Sequence, residues 1–286
     1  MMITTTYRTA DEFLEHAAPT LEENEAANNL ILGMSLRLKE SPHTFETTPF
    51  FAVVTDRDRV ILSAVMTPPF KLVLASDADD YGDAVNSFAK KLLSLHLPIP
   101  GVTAASALAE NFCVQWSRIA KVNYRIGMKQ RIYELRKVNP PQWARGTMRL
   151  ATRNDFDLAT QWAIAFNDEA LGTPAGNLRG LVERKIESRE LYVWVDGGST
   201  VSMAATTRPT RHGVGVNLVY TPPPFRGKGY ASSCVAALSQ LQLDSGYQFC
   251  VLYTDLANPT SNSIYQKIGY VPVCDSNEYI FEGCES

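Results

Sequence analysis

The chain has 286 residues, enough for one large domain or two ordinary ones. About 45% of residues are hydrophobic and 20% are charged, with a formal net charge of -3, which excludes disordered and fibrous classes and argues against bulk nucleic-acid binding. Apolar runs stop well short of the roughly 18 residues a membrane span needs, and the opening "MMITTTYRTADEF" lacks a basic-then-apolar leader, so a soluble cytoplasmic protein is expected.

In chain order, "TADEFLEHAAPTLEENEAANNLILGMSLRLKE" reads as one or two helices. "FAVVTDRDRVILSAVMTPP", Phe51 to Pro69, reads as a hairpin. "KLVLAS" is a strand, "DAVNSFAKKLLSL" and "ALAENFCVQWSRI" are helices, and "NYRIGMKQRIYEL" is a strand. The proline- and glycine-bearing stretch "VNPPQWARG", Val138 to Gly146, reads as a boundary between domains 1-140 and 147-286.

The second part opens with a short strand and a cap at Asn154 or Asp155. A helix follows with Leu158, Trp162 and Phe166 on one side. "LYVWVDGGSTVSMAATTRP", Leu191 to Pro209, is a hairpin turning at Asp196-Gly197-Gly198. It lies against Phe51 to Pro69 without a gap at an offset of 140 residues, hairpin turn on hairpin turn, which marks an internal repeat. "GVGVNLVY" is a strand, and a helix from about Lys228 to Ser245 carries Val235, Leu238 and Leu241. "YQFCVLYT" is a buried strand, a helix from Pro259 to Ile268 ends at Gly269, and "YVPV" and "EYIFE" are closing strands.

Cys113, Cys234, Cys250, Cys274 and Cys284 are odd in number and lack metal-ligand spacing, so most read as packed free thiols and no metal site is expected. His16, His43 and His96 show no ligand spacing, and His212 falls in a turn. Trp162 and Trp194 read as core.

Between the "GVGVNLVY" strand and its following helix lies "TPPPFRGKGYAS". Three prolines lack the donors a central strand needs and force the chain out of the sheet. Gly227 and Gly229 permit positive φ and leave the backbone bare, and the next helix starts with unpaired N–H groups. Arg226 and Lys228 add positive charge. Together they form an anion cradle suited to a pyrophosphate. The plain alternative is a strand-to-helix connection with a basic rim. A Walker A loop and a Rossmann fingerprint both fail on spacing. The same place in the first half, "NSFAKK", has no glycine and lies within a helical pattern.

"RGKGYA" resembles the [QR]-x-x-G-x-[GA] motif of the GNAT N-acetyltransferase superfamily, and "NPTSNSIYQKIGY", Asn258 to Tyr270, resembles that family's second signature, with Ser261 in place of the usual alanine. The resemblance covers about Thr147 to Glu282. It implies an α/β (α+β) fold of two GNAT-like halves, each a mixed, mostly antiparallel central sheet flanked by helices, the first half degenerate.

The resemblance also implies an acetyl-CoA-dependent N-acetyltransferase that moves an acetyl group directly from the thioester to a primary amine. Val219, Tyr220 and Thr221 would run beside the pantetheine arm. Arg226, Gly227, Lys228, Gly229, Tyr230, Ala231 and Ser232 would hold the pyrophosphate, and Asn258 would touch the cofactor while capping its helix. Tyr265 would be the general acid, against a reading as a core tyrosine. No glutamate stands on "GVGVNLVY" or "FCVLYT", which leaves Asp255 as the nearest carboxylate for a base, against a turn role. Asn217 is a candidate for substrate contact. The acceptor is expected to be a small molecule, with the first half walling the cleft or supporting the fold. The rival readings are an acyl-CoA-binding sensor without turnover and a nucleotide-binding protein using the same loop.

Overall fold

A computed structural model describes residues 1–42, 47–171 and 176–282; His43 and Cys284 lie outside them. The chain divides into two compact units, Met1–Ile132 with Val273–Ser286, and Tyr133–Pro272.

The first unit is built from β1 (Met2–Tyr7), α1 (Ala10–Leu21), α2 (Asn29–Glu40), β2 (Phe50–Asp56), β3 (Arg59–Met66), β4 (Leu72–Ala75), α3 (Gly82–Leu95), β5 (Gly101–Ala105) and α4 (Ser106–Ala120). The strand β6 (Asn123–Leu135) leads out of it. Its sheet runs β1-β2-β3-β4-β5, antiparallel except for the parallel pair β4 and β5. A strand from far along the chain continues this sheet at β5, with Ser276 opposite Ala105 and Ile280 opposite Gly101.

Alternation puts Phe51, Val53, Val65 and Val73 on the face covered by α1 and α2. Ala52, Val54, Leu62, Ala64 and Leu72 face α3 and α4. Thr9 starts α1 with a capping box closed by Glu12.

The second unit repeats this plan. It holds β7 (Thr147–Leu150), α5 (Phe156–Phe166), a short π turn at Asn167–Leu171, α6 (Leu178–Glu187), β8 (Leu191–Asp196), β9 (Ser199–Thr207), β10 (Gly213–Tyr220), α7 (Tyr230–Asp244), β11 (Phe249–Asp255) and α8 (Pro259–Lys267). The strand that closes the first unit's sheet, β12, spans Val271–Glu282. The order β7-β8-β9-β10-β11 is antiparallel except for β10 with β11, the counterparts of β4 and β5.

The two hairpins share even their irregularity. The ladder slips between Val54 and Thr55 in the first unit and between Trp194 and Val195 in the second, positions 140 residues apart. The repeat read from the sequence therefore extends to the pleat of the strands. Mixed, mostly antiparallel sheets with helices on both faces bear out the expected fold class.

Several local expectations change. Asp155 stands at the N-cap of α5, one of the two residues expected there, but its side chain does not cap that helix; it closes a capping box with Thr152, which begins the preceding 3-10 turn, and its carboxylate accepts from the Thr152 N–H and from Arg149. Leu241 is exposed although Val235 and Leu238 are buried. The closing strands are one continuous strand. The sequence reading had no element for β1, β5 or α6. Cys113, Cys234, Cys250 and Cys274 are free, the first three buried.

Candidate active site

The site begins with a gap. β10 and β11 run in register for Gly213–Phe249, Val214–Cys250 and Gly215–Val251, and there their ladder ends, although both strands continue. On the other side β10 stays paired with β9, with Asn217 opposite Ala205 and Tyr220 opposite Met203. That spacing requires a bulge, and Leu218 supplies it with φ of 48°. A left-handed leucine costs about 1–2 kcal/mol. The bulge keeps Leu218 and Tyr220 in the core beneath α5 and α6, while Val219 packs toward the core beneath α7 and α8.

Past the gap the chain leaves the sheet as the prolines require. Pro223–Phe225 form a single 3-10 turn, and the backbone then reaches Gly227 at φ 76° and Gly229 at φ 79°. A side chain at Gly227 would meet open space, so the glycine answers a backbone demand and the peptide groups on that side stand uncovered. Gly229 is the N-cap of α7, and no side chain caps the helix. The first turn of a 15-residue helix, with half-buried Ala231 and Ser232, therefore presents bare amides, the arrangement that favours a phosphate.

The basic residues have other partners. Arg226 Nη2 donates to Glu169 Oε2 at 2.6 Å, and its Nε donates to the Thr221 carbonyl at 2.9 Å. Glu169 Oε1 accepts from the Tyr220 hydroxyl at 2.8 Å. Arg226 first, and Tyr220 after it, hold the Glu169 carboxyl below its usual range. Lys228 is exposed and lies over the Phe225 ring. Tyr230 is buried, and its hydroxyl donates to Asp196 at 2.6 Å, which ties the start of α7 to the β8–β9 turn. Ser202 donates to the Tyr220 carbonyl and bonds the Thr221 hydroxyl at 2.8 Å, fixing the end of β10.

Tyr265 belongs to the core beneath α7 and α8 and is 9% exposed, with Tyr270 edge-on at 5.9 Å. Burial pushes its pKa well above the ordinary tyrosine value, so the phenol keeps its proton at any physiological pH. Among the described residues its hydroxyl makes no hydrogen bond. Asn258 caps α8 by accepting the Ser261 N–H at 3.0 Å. Asp255 Oδ1 accepts the Ala257 N–H at 2.8 Å, closing the turn after β11.

Two groups at the site carried little or no sequence signal. Glu169 reaches Tyr220 and Arg226 across more than 50 positions, a pairing no local pattern encodes. Asn262 was also missed; it accepts from Thr254 at 2.6 Å and from Tyr133, and donates to the Asp255 carbonyl, fixing the start of α8. Asn217, noted from the sequence, has a buried Oδ1 with no partner among the described residues.

The first unit lacks this equipment. Asn86–Lys91 lies inside α3, and Asp77, Asp79 and Asp80 precede that helix, where their charge would repel a phosphate. Among the described residues no group of three His, Cys, Asp or Glu is placed to hold a metal, and no helix is long and apolar enough to cross a membrane.

Comparison with solved structures decides the fold. A tandem GNAT protein from the clavulanic acid biosynthesis pathway matches over 100% of this chain and 99% of its own, at 12% identity and a TM-score of 0.58. The fold is that of tandem GNAT proteins. A GNAT-family acetyltransferase from Colwellia psychrerythraea matches over 98% of each chain at 12% identity and a TM-score of 0.58. A Drosophila protein matches over the whole of both chains at 13% identity and a TM-score of 0.71. Residues 195–280 match the model of the FR47-like protein family, which is GNAT-related. This segment contains the gap, the glycine loop and both stretches that resemble GNAT motifs. No curated protein matches the chain in sequence.

Proposed function

We propose that the second unit is an acetyl-CoA-dependent N-acetyltransferase. The observation that carries this reading is the coincidence of the β10–β11 gap with the open, uncapped start of α7, joined by a loop that places two positive-φ glycines between them. Bare amides at Gly229, Tyr230, Ala231 and Ser232 fit a pyrophosphate, with Gly227 and Lys228 on the loop. Arg226 joins them when it leaves Glu169. The unpaired edge of β10, through Val219, Tyr220 and Thr221, fits the amide-bearing pantetheine arm, and Asn258 lies at the start of α8 near the end of β11.

Acetyl-CoA, when bound, supplies a thioester carbonyl for the amine to attack and a thiol to leave. The new bond joins the amine nitrogen to the acetyl carbon, and the carbon–sulfur bond breaks. A backbone N–H on the freed edge of β10 supports the charge that develops on the carbonyl oxygen, a contribution on the order of 3 kcal/mol for such donors. Tyr265 gives its proton to the departing sulfur. The buried setting that raises the tyrosine also raises a thiol, so the transfer is not disfavoured by the tyrosine's shift alone. The amine's proton goes to water or to Asp255, whose carboxylate must first release the turn.

The test is release of CoA thiol from acetyl-CoA in the presence of primary amines, with Tyr265→Phe as control. Acetyl-CoA at a hundredfold excess over Kd should stabilise the protein by about 2.7 kcal/mol. Stabilisation without thiol release from any amine would establish the sensor reading, which the turn-bound Asp255 favours. A shift with ATP equal to that with CoA would establish the nucleotide-binding reading.

A further inference from the structure

The helix that carries Tyr265 has little to hold it in place by itself. α8 reads "PTSNSIYQK", nine residues poor in strong helix formers, and a helix of that length is marginal without tertiary support. Tyr265 is the one residue within it that is buried. The support must come largely from polar contacts.

Asn262 provides them. An asparagine inside a helix is ordinarily unfavourable, because its amide competes for backbone groups. Here the amide ties the helix to its neighbours. Oδ1 accepts from the Thr254 hydroxyl on β11 at 2.6 Å and from the Tyr133 hydroxyl on β6 at 3.1 Å. Nδ2 donates to the carbonyl of Asp255 at 2.9 Å and to that of Asn258 at 2.7 Å. Both acceptor sites and both protons of the side chain are thus in use. Tyr133 is fully buried, and its hydroxyl also accepts from Gln266, one turn further along α8, at 3.0 Å.

These contacts bear on Tyr265, three residues after Asn262. Its hydroxyl makes no hydrogen bond among the described residues, so the place of that hydroxyl follows from the place of α8 and from the ring contact with Tyr270. They bear on Asp255 as well. Its carbonyl accepts from Asn262 and from the Asn258 N–H at 3.1 Å, both independent of its carboxylate. The carboxylate can therefore let go of the Ala257 N–H while α8 stays in position.

We propose that Asn262 is a positioning residue for acetyl transfer: it fastens the start of α8 to β11 and β6 and thereby sets where the Tyr265 hydroxyl meets the departing sulfur. This rests on the acetyl-transfer reading above. Asn262 neither gives nor takes a proton in the reaction, and its effect on turnover passes through Tyr265. A displacement of about 1 Å at a reacting group lowers a rate on the order of a hundredfold.

The test is a double-mutant cycle of Asn262→Ala with Tyr265→Phe, read as thiol release from acetyl-CoA with a panel of primary amines that includes glycinamide and butylamine. In the wild-type background Asn262→Ala should lower kcat by roughly 10- to 100-fold, while acetyl-CoA affinity stays within about threefold because the phosphate-facing amides lie on α7. In the Tyr265→Phe background the same change should lower kcat by less than about threefold, although it lowers the thermal midpoint equally in both. Tyr133→Phe removes one of the two donors to Oδ1 and gives a milder probe should Asn262→Ala fail to fold; its loss of roughly two- to tenfold should likewise vanish in the Tyr265→Phe background. Losses of kcat that multiply across the two backgrounds, or unchanged kcat in a folded Asn262→Ala, would overturn the assignment and leave acetyl transfer standing. Failure of wild type to release thiol with any amine would overturn the parent reading and the assignment with it.

Discussion

Arg226, the first residue of the glycine loop's RGKG run, is held at 2.6 Å by Glu169, which follows α5 in the chain. Each side chain is about half exposed, 47% and 46%, so a pair of this kind is worth only about 0.2–1 kcal/mol. If a bound phosphate competes with Glu169 for Arg226, Glu169→Gln should tighten CoA binding by roughly two- to fivefold. Arg226→Gln should weaken it and flatten its salt dependence. Isothermal titration at two salt concentrations separates the cases, and weaker binding by Glu169→Gln would mean that the carboxylate orients Arg226 for the ligand.

Tyr265→Phe removes a hydroxyl that has no hydrogen-bond partner among the described residues and leaves the ring buried against Tyr270. Thermal stability should therefore change by less than about 1 kcal/mol, or rise. Acetyl-CoA affinity should hold, while turnover falls by roughly 10²- to 10⁴-fold. Loss of stability together with activity would return Tyr265 to the core role that its burial also suits.

Two glycines with positive φ should respond differently to alanine. At Gly227 the added methyl meets open space, so Gly227→Ala should cost only backbone strain, about 1–2 kcal/mol. At Gly269, which ends α8 at φ 109°, the methyl would lie 2.6 Å from the Lys137 carbonyl oxygen. Gly269→Ala should destabilise by several kcal/mol, because backbone must move as well. Urea titration of both variants checks the order.

Arg149 and Thr152 hold the Asp155 carboxyl down to about 2, from an ordinary value of 3.8, with hydrogen bonds outweighing burial. The folded-state value is the lower one, so this stabilisation is complete above about pH 4 and is lost as pH falls toward 2. It amounts to at most about 2 kcal/mol, reduced by the partial exposure of Arg149. Asp155→Asn should lower stability at pH 7 and remove part of the acid dependence, measured as denaturation midpoints between pH 2 and 7.

Much of the frame was legible because punctuation repeats. Asp196-Gly197-Gly198, Pro209 and the prolines at 222–224 fix where strands turn or stop, and the 140-residue offset carried the hairpin into the first unit, where Arg57 takes the positive φ that glycine takes in the second. β5, "GVTAA", was missed because small residues in a five-residue run give no period to read. The gap was not legible, since nothing local at Gly215 announces where a ladder ends. Leu218 gives no sign of its left-handed turn either, because leucine is an ordinary strand residue. Glu169 needed the folded chain to meet Arg226.

The pairing of β12 with β5 has a bearing on how the protein is made. Translation delivers every residue of the second unit before it delivers Ser276–Ile280, the partners of Ala105–Gly101. The first unit, begun earliest, must wait with β5 as an open edge while the second can already close, and an open edge is where strands of other chains attach. A nascent chain stalled near Pro272 would therefore expose its weakness in the half that was synthesised first.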